Sequence, residues 1–291
     1  MINEDRVTEL KKISNEIRKS LISALAEAGS GHTAGALDMA DIFTALYFHL
    51  LKHNPKDPLW ADRDRLVLSN GHICTVQYSA MAHAGYFPVS ELKTLRKFGS
   101  RLQGHPWREF LPGIETSSGP LGSGLSQAVG MAIAGQIDTG NRRAISSRRP
   151  VQKTIYCLMS DGELNEGNTW EAVMLAAKEK LGNLIAIIDK NGIQIDGFTK
   201  DIMPTDSVAD KFRSFNWYVE EVDGHDIKAF IDLVEKIKTA VASVAPEMRK
   251  PVAIIAKTIP SKGVPEWEGK YEWHGKAPTK AEAEMAIKNL R

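Results

Sequence analysis

Apolar and polar residues alternate along this chain with two different periods. Over residues 5–28 the apolar positions recur every three or four residues, which predicts an amphipathic helix. Short apolar runs predict buried strands over residues 154–159, 184–188 and 251–258, and further strands are predicted over residues 65–68 and 217–222. Further helices, or helix ends, are predicted over residues 38–51, 93–101, 125–137, 168–181, 226–241 and 279–290, and from residues 73 and 207 onward.

The order of these elements predicts the fold class. Strands alternate with helices, which is typical of an α/β fold with a mostly parallel sheet flanked by helices on both faces. The 291 residues suffice for one large core, and we predict a single domain over 1–291. The helix over 125–137 is small and apolar on all sides, which predicts burial in the core or in a subunit interface.

One strand–helix–strand unit places polar residues at the ends of two neighbouring strands. The first strand runs into Ser160-Asp161-Gly162, and the second ends at Asn191. The carboxyl ends of parallel strands meet at one edge of the sheet, where such sheets bind ligands. Asp161 and Asn191 offer oxygen ligands for Mg²⁺, and Gly162 offers open backbone N–H groups to a phosphate. The same dipeptides are common turn formers, so an ordinary turn explains the pattern equally well.

Several histidines lie in loops that could face such a site. His32 lies in a glycine-rich loop between two helices, and His72 lies at a strand-to-helix junction suited to an anion. His105 stands between Gly104 and Pro106, ahead of a glycine-rich loop over 113–124. Simpler interpretations are a solvated loop histidine for His32, a capping histidine for His72 and a mobile surface connection for the glycine-rich loop.

Charge and composition exclude several classes of protein. The formal net charge of +1 indicates neither a nucleic-acid partner nor an anionic membrane partner. Cys74 and Cys157 lie in or beside apolar segments, which predicts reduced core residues of a cytoplasmic protein. The charged N-terminus predicts no signal peptide, and no apolar run is long enough for a membrane span. The arginine-rich stretch over 141–150 is expected to be a surface loop rather than a phosphate patch.

Taken together, these motifs resemble the transketolase family of thiamine-diphosphate enzymes. Between about residue 13 and residue 290 the sequence carries, in family order, GH, SNGH, GHP, GPLG, DG followed by N, and WHGK. Three positions depart from the family pattern. Ser160 stands where Gly is usual, Lys190 where an amide or acid is frequent, and Thr33-Ala34 where Pro-Gly is usual.

The resemblance implies a set of cofactor contacts, with thiamine diphosphate and Mg²⁺ as cofactors. Mg²⁺ would be held by Asp161, the Asn191 side chain and the Ile193 carbonyl. Gly162 would lie close to the diphosphate. The remaining contacts implied for the cofactor are His72 and His274 at the diphosphate, Gly119, Leu121 and Ile259 at the two rings, and Glu166 at the subunit interface. His32, His105 and His274 would face the substrate as catalytic residues.

The resemblance also implies a partner. Transketolases continue with a pyrimidine-binding domain, which supplies the Glu that activates the cofactor, and with a third domain. We therefore expect the diphosphate-binding subunit of a split transketolase, which transfers a two-carbon ketol unit between sugar phosphates. Activity would need a separate C-terminal subunit, with two copies of each chain about a two-fold axis.

Two alternatives stay open. One is the α subunit of a thiamine-dependent 2-oxo acid dehydrogenase, in which a similar signature lies on a separate chain. The histidines at 32, 72, 105 and 274 favour transketolase over this alternative. The other is a relic that retains the fold and binds nothing, since a fold alone proves no activity.

Overall fold

The computed structural model describes residues 2–140 and 153–290. Five parallel strands form one sheet in the order β1-β2-β3-β7-β6. The strands are β1 (Arg65–Leu68), β2 (Ile155–Ser160), β3 (Leu184–Lys190), β6 (Tyr218–Asp223) and β7 (Val252–Lys257). Two short strands, β4 (Ile193–Gln194) and β5 (Gly197–Phe198), form an antiparallel hairpin. The arginine-rich stretch over 141–150 lies outside the described residues.

Helices cover both faces of the sheet. They are α1 (Glu4–Ala28), α2 (Ala34–Asp38), α3 (Ala40–Ala45), α4 (Cys74–His83), α5 (Ser123–Gly140), α6 (Gly167–Lys178), α7 (Thr199–Ile202), α8 (Val208–Ser214), α9 (Ile227–Ser243) and α10 (Lys280–Asn289). Successive strand residues point to opposite faces, so Tyr156 and Leu158 pack with α1, α4, α9 and α10. Cys157 and Met159 pack with α5, α6 and α8 on the other face. The predicted α/β fold is confirmed.

The strand register brings several loops to one edge of the sheet. Ser160 of β2 lies opposite Asp189 of β3, and Asp189 lies opposite Ala256 of β7. The carboxyl ends of these three strands are therefore level. Each strand ends within two residues of its predicted position. For β2, β3 and β7 the reason is that a strand buried on both faces needs a continuous apolar run.

The prediction of one helix over 38–51 is wrong. The chain becomes helical at Ala34, is interrupted at Met39, whose backbone stays in the right-handed helical region, and closes with a wider π turn over Leu46–Leu50. In the first of these helices Gly35 lies close to its neighbour, since an added Cβ would stand 2.8 Å from Ile73 Cγ2. This glycine permits a helix to pack closely on its neighbour, whereas the sequence predicts a glycine-rich loop at this place.

Two other local predictions need correction. The sequence predicts Asn168 or Thr169 as the residue that caps helix α6, but this helix begins at Gly167 after Glu166, which makes no side-chain capping bond. Residues 93–101 form no α-helix; a short 3₁₀ turn over Val89–Thr94 is followed by Arg96 in the left-handed region at φ 60°. Helix α5, which is predicted to be buried in the core or in a subunit interface, is buried along one face of this chain and exposes Gly130, Ala134 and Ile137 on the other.

Two other predictions concern the cysteines and the membrane. Cys74 and Cys157 are buried and unpaired, as predicted for core residues. Among the helices that the structure describes, none has the length and apolarity to cross a membrane.

Candidate functional site

The carboxyl edge of the sheet carries a buried carboxylate, Asp161, directly after β2. Its side chain accepts the N–H groups of Gly162 at 2.9 Å and Gly192 at 3.0 Å, and the Thr199 hydroxyl at 3.3 Å. Burial raises the pKa of Asp161 to about 6. The Gly162 N–H, which the sequence predicts to be open for a phosphate, is thus engaged by Asp161. A Cβ on Gly162 would lie 3.1 Å from Gln194 Cγ, so no larger residue fits there without a shift.

The Asn191 side chain is oriented by two buried carboxyl groups. Its Nδ2 donates to Asp38 Oδ2 at 3.1 Å and to Asp189 Oδ2 at 2.9 Å, and its Oδ1 accepts the Ile193 N–H at 3.1 Å. Burial and the nearby Asp189 raise the pKa of Asp38 well above its usual range, and burial raises the pKa of Asp189 to about 8. The pair therefore retains a proton at neutral pH, which limits the charge that this buried region must hold.

The oxygen atoms at this edge fit a magnesium ion bound together with a phosphate. A carboxylate has about four lone-pair sites and an amide oxygen two, so Asp161 and Asn191 each retain a free site beside their present donors. Within residues 2–140 and 153–290 no group of three or more His, Cys, Asp or Glu side chains could hold a metal. Mg²⁺ here would depend on the Asp161 carboxylate, neutral oxygens and phosphate, and one or two carboxylates with phosphate are its usual ligands. Lys190 pairs its Nζ with Asp206.

Three of the predicted histidines form one cluster. The ring centroids of His32 and His72 are 4.8 Å apart, those of His72 and His274 are 5.3 Å apart, and those of His32 and His274 are 5.7 Å apart. The Nδ1 atoms of His32 and His274 are buried and have no hydrogen-bond partner among the described residues. Buried polar atoms normally have a partner, so these two atoms are candidates for a hydrogen bond to a bound ligand or water.

Burial favours the neutral form of the three histidines in the cluster. Burial, followed by the repulsion that a protonated His274 would add, lowers the pKa of His32 to about 4. Burial also lowers the pKa of His274, and it lowers the pKa of His72 well below its usual value. Burial and Arg96 lower the pKa of His105, which is near enough to depress the pKa of His32 and His72. A neutral imidazole has one donor and one acceptor nitrogen, so each ring can give or take a proton.

A hydrogen bond from Thr33, one of the positions that depart from the family pattern, joins the loop of His32 to the loop of His274. The Thr33 hydroxyl donates to the Lys276 carbonyl at 2.5 Å, and the Ser261 N–H donates to the Ala34 carbonyl at 3.2 Å. A proline at position 33 would lack this hydroxyl donor. Three loops that are far apart in sequence are thereby held together around the histidines.

The glycine-rich loop before α5 is anchored by Glu163, a residue that sequence reasoning missed. Glu163 is fully buried, and its carboxylate accepts from the Ser69 hydroxyl, the Gly122 N–H and the Ser160 N–H. Burial raises the pKa of Glu163. In the sequence, a Glu after Asp-Gly is typical of a solvated turn. Its position at the end of a strand was the single signal that could have indicated a role at the site.

The remaining predicted residues surround this edge. Gly71 packs so closely on the loop that an added Cβ would lie 1.9 Å from Ser118 Oγ. An added Cβ on Gly122 would lie 2.7 Å from Glu166 Cβ, so this loop also contacts the start of α6, while Gly119 has open space around it. Leu121 is half-buried beside them, and Ile259 is 40% exposed in the loop after β7.

Comparisons with known proteins agree on one family. A family model described as "Transketolase, thiamine diphosphate binding domain" matches residues 9–290. The chain is 39% identical to a 6-deoxy-6-sulfo-D-fructose transketolase subunit of Clostridium sp. (strain MSTE9), with 97% of this chain and 96% of that protein covered. It is 40% identical to an apulose-4-phosphate transketolase subunit of Actinobacillus succinogenes, with the same coverage of 97% and 96%.

A solved structure has the same fold. The crystal structure of transketolase from Campylobacter jejuni superposes with a TM-score of 0.86 at 34% identity, with 99% of this chain and 43% of that chain covered. The chain thus spans nearly the whole length of the two subunits and about two fifths of this larger transketolase.

Proposed function

Because the chain belongs to the transketolase family through its thiamine diphosphate binding domain, we propose that it is the diphosphate-binding subunit of a split transketolase. With a separate C-terminal subunit it transfers a two-carbon ketol unit between sugar phosphates in the cytoplasm. The observation that carries the proposal is the similarity over 96% of their length to two proteins named as transketolase subunits.

The buried oxygen atoms at the sheet edge hold the cofactor's metal and diphosphate in this proposal. Asp161, the Asn191 amide oxygen and the Ile193 carbonyl bind Mg²⁺, with Gly162 beside the diphosphate. The hydrogen bonds from Asn191 to Asp38 and Asp189 support this assignment, because they turn the amide oxygen away from the two carboxyl groups, and beside the Ile193 N–H this oxygen retains one lone pair. Bound thiamine diphosphate supplies carbanion stabilisation for the carbon–carbon bond that is broken and formed.

The histidines carry the proton transfers in this proposal. Sugar hydroxyls must lose and regain protons as the carbon–carbon bond changes, and a neutral imidazole offers one acceptor and one donor nitrogen for these transfers. His32, His105 and His274 face the substrate, and His72 and His274 contact the diphosphate. The unpartnered Nδ1 atoms of His32 and His274 support a ligand at this place. Gly119, Leu121 and Ile259 contact the two rings of the cofactor.

The partner supplies the Glu that activates the cofactor, and Glu166 lies at the contact between the chains. The exposed small and apolar face of α5, formed by Gly130, Ala134 and Ile137, supports burial by another chain. Two copies of this chain and two of the partner about a two-fold axis form the simplest closed assembly.

The test is a ketol-transfer assay with thiamine diphosphate and Mg²⁺. We expect no transfer by this chain alone, and transfer that rises and saturates as a chain carrying the pyrimidine-binding domain is added. Substantial activity without a partner would mean that a carboxylate of this chain activates the cofactor, and the split-enzyme proposal would be wrong. Oxidative decarboxylation of a 2-oxo acid instead would support the dehydrogenase alternative. If calorimetry detects no binding of thiamine diphosphate, the result would support the alternative of a relic that retains the fold.

A further inference from the structure

A chain of polar side chains supports the loop after β7 from behind the proposed site. The Arg18 guanidinium pairs with Asp41, with 2.6 Å between Nη2 and Oδ2. Asp41 Oδ2 also lies 3.1 Å from His225 Nδ1. His225 Nε2 in turn accepts the backbone N–H of Ile259 at 2.8 Å. The series therefore runs from α1 through α3 and the loop after β6 to Ile259.

The donors and acceptors in this series determine which tautomer of His225 is present. A backbone N–H can only donate, so His225 Nε2 must carry the lone pair. The proton of the neutral ring then lies on Nδ1 and is donated to Asp41. Although burial raises the pKa of Asp41, the Arg18 guanidinium and the hydrogen bond from His225 hold it below its usual range, so the acceptor is a carboxylate.

The neighbours of Ile259 are also tethered. The Thr258 hydroxyl donates to Asp189, and Arg18 Nε donates to the Lys262 carbonyl at 3.1 Å. Between these two bonds the Ile259 side chain is 40% exposed at the carboxyl edge. Packing on this chain alone therefore restrains Ile259 weakly, and the hydrogen bond to His225 sets where its backbone lies.

We propose that His225 is a positioning residue that holds Ile259 in place for contact with a cofactor ring. The hydrogen bond is a feature of the fold, and its use in cofactor binding rests on the function proposed above. His225 touches neither the metal ligands nor the histidine cluster in this scheme, and it acts only through the Ile259 main chain.

Two variants separate the two bonds of the imidazole. His225→Asn has an amide nitrogen that can donate to Asp41 in place of Nδ1, but it has no acceptor where Nε2 lies. His225→Gln can present its amide oxygen near the Nε2 position and accept from Ile259. His49→Asn is the matched control, because His49 lies 3.1 Å from Glu235 in an exposed pair away from the β7 loop.

The first measurement is hydrogen exchange of the Ile259 amide in the chain without ligands. We expect the exchange to accelerate about tenfold in His225→Asn, because one hydrogen bond is worth on the order of this factor in opening. It should stay near the parent rate in His225→Gln and in the control. Unchanged exchange in His225→Asn would overturn the proposal, and so would equal acceleration in both His225 variants.

The second measurement compares thiamine diphosphate with inorganic diphosphate, each with Mg²⁺, by calorimetry. We expect His225→Asn to lower the affinity for thiamine diphosphate about five- to tenfold, in line with one lost hydrogen bond. The affinity for inorganic diphosphate should fall less than about twofold. His225→Gln should restore the affinity for thiamine diphosphate. Equal weakening of the two ligands would indicate general damage and refute a positioning role. If the parent chain binds neither ligand, the proposed function fails, while the exchange experiment still decides whether His225 holds Ile259.

Discussion

The fully buried Glu163 carboxylate accepts the Gly122 N–H across 41 residues of sequence. It also accepts from the Ser69 hydroxyl and the Ser160 N–H, so one side chain joins the ends of β1 and β2 to the glycine-rich loop. No Lys or Arg side chain of the described part of the chain is paired with it, so its charge depends on these donors alone. Burying a carboxylate in this way is costly unless its lone pairs are used.

We predict that Glu163→Ala destabilises the fold and loosens the loop. Three buried donors lose their acceptor, and we expect the free energy of unfolding to fall by about 3 kcal/mol. Glu163→Gln retains one acceptor oxygen and should lose about 1 kcal/mol. Urea unfolding measures both. Exposed Glu171→Ala on α6 is the control, and it should change stability by less than about 0.5 kcal/mol. Equal losses in Glu163→Gln and Glu163→Ala would contradict the hydrogen-bond argument.

We predict that Asp161→Ala abolishes Mg²⁺-dependent binding of thiamine diphosphate and leaves the fold intact. Asp161 is the carboxylate among the proposed ligands, and neutral oxygens alone bind Mg²⁺ weakly. Calorimetry with and without Mg²⁺ measures the effect, and circular dichroism checks the fold. The exposed Asp201→Ala in the nearby α7 serves as the control. Binding by Asp161→Ala as tight as that of the parent chain would show that the metal assignment is wrong.

We predict that neutral His32 contributes stability that is lost as the pH falls from about 6.5 toward 4. Burial lowers the pKa of His32 from 6.5 to about 4. In this window the unfolded chain binds a proton that the folded chain excludes, so the stability from neutral His32 is complete above pH 6.5 and is lost below it. Urea unfolding at several pH values should show a shallower pH slope for His32→Gln than for the parent. His49→Gln, away from the cluster, should keep the parent slope.

We predict different effects for two histidines in the assembled enzyme. His105→Ala should lower turnover more than it lowers the affinity for thiamine diphosphate, because its proposed role is proton transfer at the substrate, which contributes about 10²–10⁴-fold. His72→Ala should chiefly weaken cofactor binding, because its proposed partner is the diphosphate. Steady-state kinetics at saturating cofactor, together with calorimetry, separates the two. Reversed phenotypes would refute the assignment of roles.

The sheet and the position of its ligand-binding edge could be predicted from the sequence. Strands such as β2 and β7 are buried on both faces, so all their residues except the last are apolar, and the signal is local. Asp161 and Asn191 follow such runs directly, and parallel pairing then places both at one edge. The six ordered motifs identified the family, which the comparisons confirm.

The polar network behind the site was decided by tertiary structure alone. Asn191 contacts Asp38 across 153 residues, His225 contacts Asp41 across 184, and Glu163 reaches Ser69 across 94. In sequence each of these acids and this histidine is typical of a solvated turn or helix residue. Their burial and their partners arise only when distant strand ends meet, and a buried carboxyl group is tolerated only where that meeting supplies its donors.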